Sequence, residues 1–203
     1  MSILNVPSEA EATGLTAEIY RADITSMGYV PSHTKAMSLN PEAHLLWESL
    51  TQAISSSLGL RRYELVTLAA AQAIGSSHCR LAHGKKTLTI IDEDQLIAIA
   101  RVYHHAGLPP EEVAMMDYAV KLSTDAAAMN DDDAQQLRDS GFSDREIADI
   151  TLAAAARNYF SRALLALAVD LDVPTGVSTE LQSALLTPLP GDGGQSAVEP
   201  SAG

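Results

Sequence analysis

Helix start and stop signals follow one another along most of this chain, and no segment between them offers a strand with a partner. Asn40 before Pro41, Asp92, Pro110, and Ser143 with Glu146 in capping-box spacing each open a helix, while Gly28, Gly59, Gly75, Gly107 and Gly141 each close one. These signals predict helices from Thr16 to Gly28, from Pro41 to Gly59, from Arg61 to Ile74, and from Ser76 or Ser77 to about Leu88. Further helices run from Asp92 toward Gly107 with Leu96, Ile99, Ala100 and Tyr103 on one face, and from Pro110 with Val113, Met116 and Val120 on one face. Glu111 and Glu112 favour the first turn of the latter through the helix dipole. A short helix begins at Asp131–Asp133 and ends at Gly141, and a long apolar one runs from Ser143 to about Val169. The helix from Arg61 is apolar on nearly every side after Glu64, which predicts that it is buried. Thr87 to Ile91 has strand propensity, but no second segment of matching pattern exists to pair with it. Ala and Leu supply 57 of the 203 residues and aromatic residues only nine, which again favours packed helices over sheets. The expected fold is all-α.

The length suits one domain with a sizeable core. We expect an N-terminal segment over 1–15, a helical domain over 16–186, and a flexible tail over 187–203, where Pro188, Pro190, Gly191, Gly193, Gly194 and Pro200 leave little to bury. A net charge of -13 repels nucleic acid and anionic membrane surfaces, and it disfavours acidic partner surfaces too. Met1 to Thr13 has no secretory leader pattern and no apolar run is long enough to span a bilayer, so the expectation is a cytoplasmic protein.

One hexapeptide echoes. Val66-Thr67-Leu68-Ala69-Ala70-Ala71 returns as Ile150-Thr151-Leu152-Ala153-Ala154-Ala155, 84 residues on. The same offset carries Ser76, His78, Cys79 and His83 onto Phe160, Arg162, Ala163 and Leu167, so only the first copy holds reactive side chains.

The chain has a single cysteine, so an internal disulfide or a multi-cysteine metal site cannot form within one subunit. Cys79 falls in the first turn of a helix, where free N–H groups favour a thiolate, and Arg80 is expected to add to that field. His83 lies four positions on, about 40° around the helix, so sulfur and imidazole share a face. His78 points about 100° away and is better placed to act through water. An antiparallel hairpin sets His83 one turn from Glu64, within bridging distance; the carboxylate can then orient the imidazole. Each residue also has a plainer role. Cys79 suits a small core position, Ser76 is a good N-cap, His83 can be an interior histidine, and Glu64 a first-turn charge. Cys79, His83 and Glu64 could form part of a metal site, but no second cysteine completes it, and His104-His105 reads better as a helix end.

The pattern Glu64-x11-Ser76-x2-Cys79-x3-His83, on a hairpin whose first helix reads ELVTLAAAQAIG, resembles the AhpD-like alkylhydroperoxidase core of the carboxymuconolactone decarboxylase superfamily. The family pattern is glutamate, eleven residues, CxxC, three residues, histidine. GYVPSHTKAMSLNPEAHLLWESL resembles the lead-in of its peroxidase-related branch, and DYAVKLSTD and GFSDREIADITLAAAARNYFSRALLALAVDLD resemble its later helices, so the likeness covers Thr16 to Val173. It implies an all-α homo-oligomer, without a cofactor, that reduces hydroperoxides at a cysteine and is regenerated by a dithiol such as lipoamide. By this likeness Cys79 matches the peroxidatic cysteine, Glu64 and His83 the proton relay, and His78 a further relay member. Ser76 stands in place of the resolving cysteine, and a hydroxyl cannot condense with a sulfenic acid.

Three functions follow as expectations. The first is a one-cysteine antioxidant peroxidase that borrows an external thiol. The second is a non-redox decarboxylase or lyase using Glu64 and His83, which would survive loss of Cys79. The third is a non-catalytic oligomer that binds a ligand or senses oxidation.

Overall fold

A computed structural model describes residues 3–187, and over them the chain forms ten α-helices and no strand. They are α1 (Gly14–Met27), α2 (Ser32–Met37), α3 (Pro41–Leu58), α4 (Leu60–Ile74), α5 (Ser77–Thr87), α6 (Glu93–Val102), α7 (Pro110–Asp125), α8 (Asp131–Asp139), α9 (Asp144–Ala166) and α10 (Thr179–Leu186). Apart from Thr187, the tail expected over 187–203 lies outside the described residues. No helix among them is long and apolar enough to cross a membrane.

The punctuation works as its chemistry dictates. Asn40 accepts the N–H of Ala43, Asp92 that of Gln95, and Ser143 and Glu146 form a reciprocal capping box. Helix α4 is the axis of the molecule. Its residues Tyr63 to Gln72 are buried without interruption, because α3, α5, α7 and α9 surround it. Helix α8 joins α7 to α9, α10 lies across α5 and α6, and α1 and α2 rest on α3.

Several expectations need correction. Helix α1 starts two residues early, at Gly14, and α2 and α10 were not anticipated; both are short, with too few turns to show a period. Helix α6 gives way at Val102 to a 3-10 turn over Tyr103–His105. The buried face of α7 runs through Glu112, Met115, Met116, Ala119 and Ser123, while Val113 and Val120 are only half-buried. Arg61 accounts for the inward Glu112, meeting its carboxylate with two N–H groups at 2.7 and 2.9 Å. Helix α9 stops short of Val169 because Ala168 turns left-handed (φ 46°), a conformation that costs a residue with a Cβ about 1–2 kcal/mol. Val169 is thereby folded back, its N–H bonded to Leu164 O and its side chain buried.

Helices α4 and α9, which carry the echoed hexapeptide, pack side by side. Gly75 ends α4 in a left-handed conformation (φ 77°), whereas the corresponding Tyr159 lets α9 run on. One copy therefore makes a hairpin and the other a continuous wall facing it.

Candidate functional site

The α4–α5 hairpin is built by two residues. Gly75 closes α4, with Ser76 N–H returning to Ala71 O at 2.9 Å, and Ser76 then caps α5 by offering Oγ to the Cys79 N–H at a long 3.5 Å. Cys79 thus occupies the first turn of α5, as its sequence context predicts, and Ser76 is wholly buried beneath it. The thiol belongs to a small apolar cluster apart from the main core, with Ala36, Ala71, Phe160, Leu164 and Val169.

One turn along α5, His83 Nδ1 meets Glu64 Oε2 of α4 at 2.6 Å. Both side chains are nearly sealed from solvent, at 6% and 1% exposure. Burial is the largest influence on His83, Arg157 adds to it, and together they outweigh Glu64 and push its pKa down to about 3. The imidazole is therefore neutral at ordinary pH. Burial works against the charge on Glu64, but His83, Lys86 and Arg157 outweigh it and hold the carboxyl below its ordinary range. A neutral ring beside a carboxylate donates from Nδ1, which leaves Nε2 as a base; no described residue bonds to Nε2.

The cation at the sulfur is not the expected one. Arg80 turns away from Cys79 and gives its guanidinium to the carbonyls of Thr187, Ala184 and Ala100, because consecutive helix positions diverge by about 100°. Instead Arg157 Nη1 donates to Cys79 Sγ at 3.3 Å, and Ser161 Oγ, one turn further along α9, donates at 3.2 Å. Both are buried. His78 lies 2.7 Å through Nε2 from Val169 O; a carbonyl only accepts, so Nε2 carries a proton. His104 and His105 lie in the 3-10 turn, where His104 bonds Asp117 at 2.8 Å on the surface, remote from any partnership with Cys79. Among the described residues no group of three or more His, Cys, Asp or Glu side chains is arranged to hold a metal.

Cys79, His78 and His83 open on one cleft of about 400 Å³, walled also by His33, Trp47 and Phe160. A second cleft of about 440 Å³ reaches Glu64 and His83 from the side of Tyr63, and Trp47 and Arg157 border both.

No family model matches the chain and no curated protein does. Solved structures do. An alkylhydroperoxidase AhpD core, the uncharacterized peroxidase-related protein of Ralstonia eutropha JMP134, matches with a TM-score of 0.72 and 24% identity over 92% of this chain and 97% of that one. Its fold is that of the AhpD core. An uncharacterized peroxidase-related protein from Silicibacter sp. TM1040 gives a TM-score of 0.74 at 24% identity, over 84% of this chain and 92% of the other. The debrominase Bmp8, in complex with 2,3,4-tribromopyrrole as a Cys-to-Ala variant, gives 0.69 at 15% identity, over 91% of this chain and 98% of its own.

On this AhpD-like frame, Arg157, Ser161, Trp47 and His33 are the site residues that sequence reasoning missed. The first two had a partial signal: Arg157, Asn158, Ser161 and Arg162 interrupt the apolar run of α9 as two polar pairs four apart, and the pair of Arg157 and Ser161 is the buried one.

Proposed function

We propose that this protein is a hydroperoxide reductase working through the single thiol of Cys79, with an external thiol as reductant. The observation that carries the reading is the convergence on one cleft of a thiol held by two donors, Arg157 and Ser161, and a neutral His83 backed by Glu64. His83 Nε2 relays the Cys79 proton without holding it as a resting imidazolium, and Glu64 steadies the ring through Nδ1. The thiolate attacks one peroxide oxygen; the S–O bond forms as O–O breaks, and the departing alkoxide takes the proton back from His83. Cys79 is left as a sulfenic acid and the products include one alcohol. An external thiol then condenses with the sulfenic acid, releasing water, and a second thiol, or the partner sulfur of a dithiol, frees Cys79 as a disulfide departs. Ser76 cannot do this, since its hydroxyl offers no sulfur. No cofactor enters the scheme. His78 belongs to it as a further relay group on the same cleft.

A homo-oligomer is part of this reading, supported by the apolar surface that Leu46 and Leu50 present one turn apart on α3, 71% and 47% exposed. A debrominase shares the fold, so the fold alone does not select the chemistry and the groups around the cleft must. Peroxide consumption with a thiol donor, together with dimedone trapping of sulfenic acid at Cys79, tests it. Absence of both in the folded wild type refutes it.

A further inference from the structure

Two guanidinium groups are buried among the described residues, those of Arg80 and Arg157. Arg80 is matched by three carbonyl oxygens. Among the described residues Arg157 has no hydrogen bond to an oxygen: Nη1 donates to the sulfur, and Nε is buried with nothing to receive its proton. A buried charge needs more than one weak acceptor, and each unmet donor adds to the cost of burying it.

The deficit is not confined to Arg157. Six buried side-chain polar atoms among the described residues lack a partner, and four of them, Asp23 Oδ2, His44 Nδ1, Trp47 Nε1 and Arg157 Nε, belong to residues lining the Cys79 cleft. Part of its wall is flat and aromatic. Trp47 and Phe160 stack with centroids 4.0 Å apart, His33 meets Phe160 edge-on at 5.8 Å, and Tyr29 lies along the same cleft. The Arg157 guanidinium sits 5.8 Å from each of the two stacked ring centres. Lys85 and Lys86 add positive charge to the lining. Of its two carboxylates, Glu48 engages His44 at 3.4 Å, and burial disfavours the charge on Asp23.

We infer that this cleft is a binding site for a small aromatic carboxylate, its anion taken by Arg157 and its ring lying among Trp47, Phe160 and Tyr29. Guanidinium and carboxylate are matched in charge and in planar geometry, and the aromatic walls accept a ring where they would leave a branched body poorly packed. A carboxylate on Arg157 lies against Sγ and shields it. Because Nε of Arg157 and Nε1 of Trp47 are closed to solvent, their engagement moves Trp47. Trp47 is the only tryptophan of the chain, so its emission reports occupancy.

The inference does not rest on the peroxidase reading, since binding requires no turnover. The experiment titrates the full-length reduced protein with benzoate, followed by Trp47 emission and by calorimetry, with benzyl alcohol as the neutral probe. Benzoate is expected to saturate below about 1 mM. Benzyl alcohol, and benzoate on Arg157→Met, are expected to bind at least about tenfold more weakly, and benzoate should slow alkylation of Cys79 by iodoacetamide. Equal affinity for the two probes, wild-type affinity in a folded Arg157→Met protein, or no saturation by either method overturns it. If Arg157→Met does not fold, Arg157→Lys takes its place, and the two-probe comparison on the wild type decides independently. Loss of peroxidase activity with benzoate binding intact sinks the proposed reaction alone.

Discussion

Arg157 Nη1 reaches Cys79 Sγ across 78 residues of sequence at 3.3 Å, while Arg80, the residue next to the cysteine, faces the other way. The charge beside the sulfur therefore comes from α9. That arrangement makes thiol reactivity depend on how α9 lies against α5, and on a residue outside the Glu64–Cys79–His83 motif.

Arg157→Met should slow the reaction of Cys79 with peroxide by about ten- to a hundredfold while leaving the helix content unchanged. Ser161→Ala removes one hydrogen bond to the sulfur and should slow it by about tenfold or less. Stopped-flow measurement of sulfenic acid formation separates the two; an unaltered rate in Arg157→Met would remove this residue from the chemistry.

Replacing the base should cost more. His83→Gln and Glu64→Gln are each expected to lower kcat/KM by about 10²–10⁴. Cys79→Ala should abolish turnover, and a variant without the thiol that keeps its activity points instead to the acid–base lyase reading.

Ser76→Cys places a second sulfur at the turn before Cys79. Peroxide treatment should then remove both free thiols and lower the mass by about 2 Da, and dithiols should become better reductants than monothiols. Mass spectrometry and thiol titration check this; two surviving thiols after oxidation would mean that the 76–79 geometry does not close.

Acid should weaken the fold early. His83 is held neutral in the folded state, with its pKa lowered from 6.5 to about 3, and His33 is pushed down by burial to about 4. Between these values and about 6.5 the unfolded chain binds more protons than the folded one, so stability is complete above about pH 6.5 and declines as pH falls. Glu64, held below its ordinary value, adds to the loss at still lower pH. Urea denaturation from pH 8 to pH 4 measures the slope, which His33→Gln should flatten.

The helical hairpin and its Glu64–His83 bridge were legible because everything that makes them is local. A glycine, a capping serine and an i, i+4 pair lie within twenty residues, and short-range rules place them. Arg157, Ser161 and Trp47 arrive from α9 and α3, and an apolar helix face does not state which neighbour it meets. Arg80 differs for a related reason: it is next to the cysteine in sequence but not in space, since one step along a helix turns a side chain by about 100°. Helix α10 went unseen because eight residues give barely two turns of pattern.

At Gly84, α5 leaves no room for a side chain against α10. A Cβ there would collide with Leu185 Cδ1, and Leu185 is 1% exposed, so Gly84→Ala should destabilise the protein by about 1–3 kcal/mol and Leu185→Ala by about 2–5 kcal/mol. Thermal denaturation of both variants measures this.

The three carbonyls that receive Arg80 have a wider meaning. Two of them, from Ala184 and Thr187, form the end of α10, so the last described turn of the chain acts as a clamp on the back of the helix whose front carries Cys79. Cleavage ahead of Thr179 would leave a guanidinium stranded inside the protein one residue from the thiol. The end of α10 and the sulfur thus lie on opposite sides of one helix, and Arg80 is the tie that fastens the first of them to it.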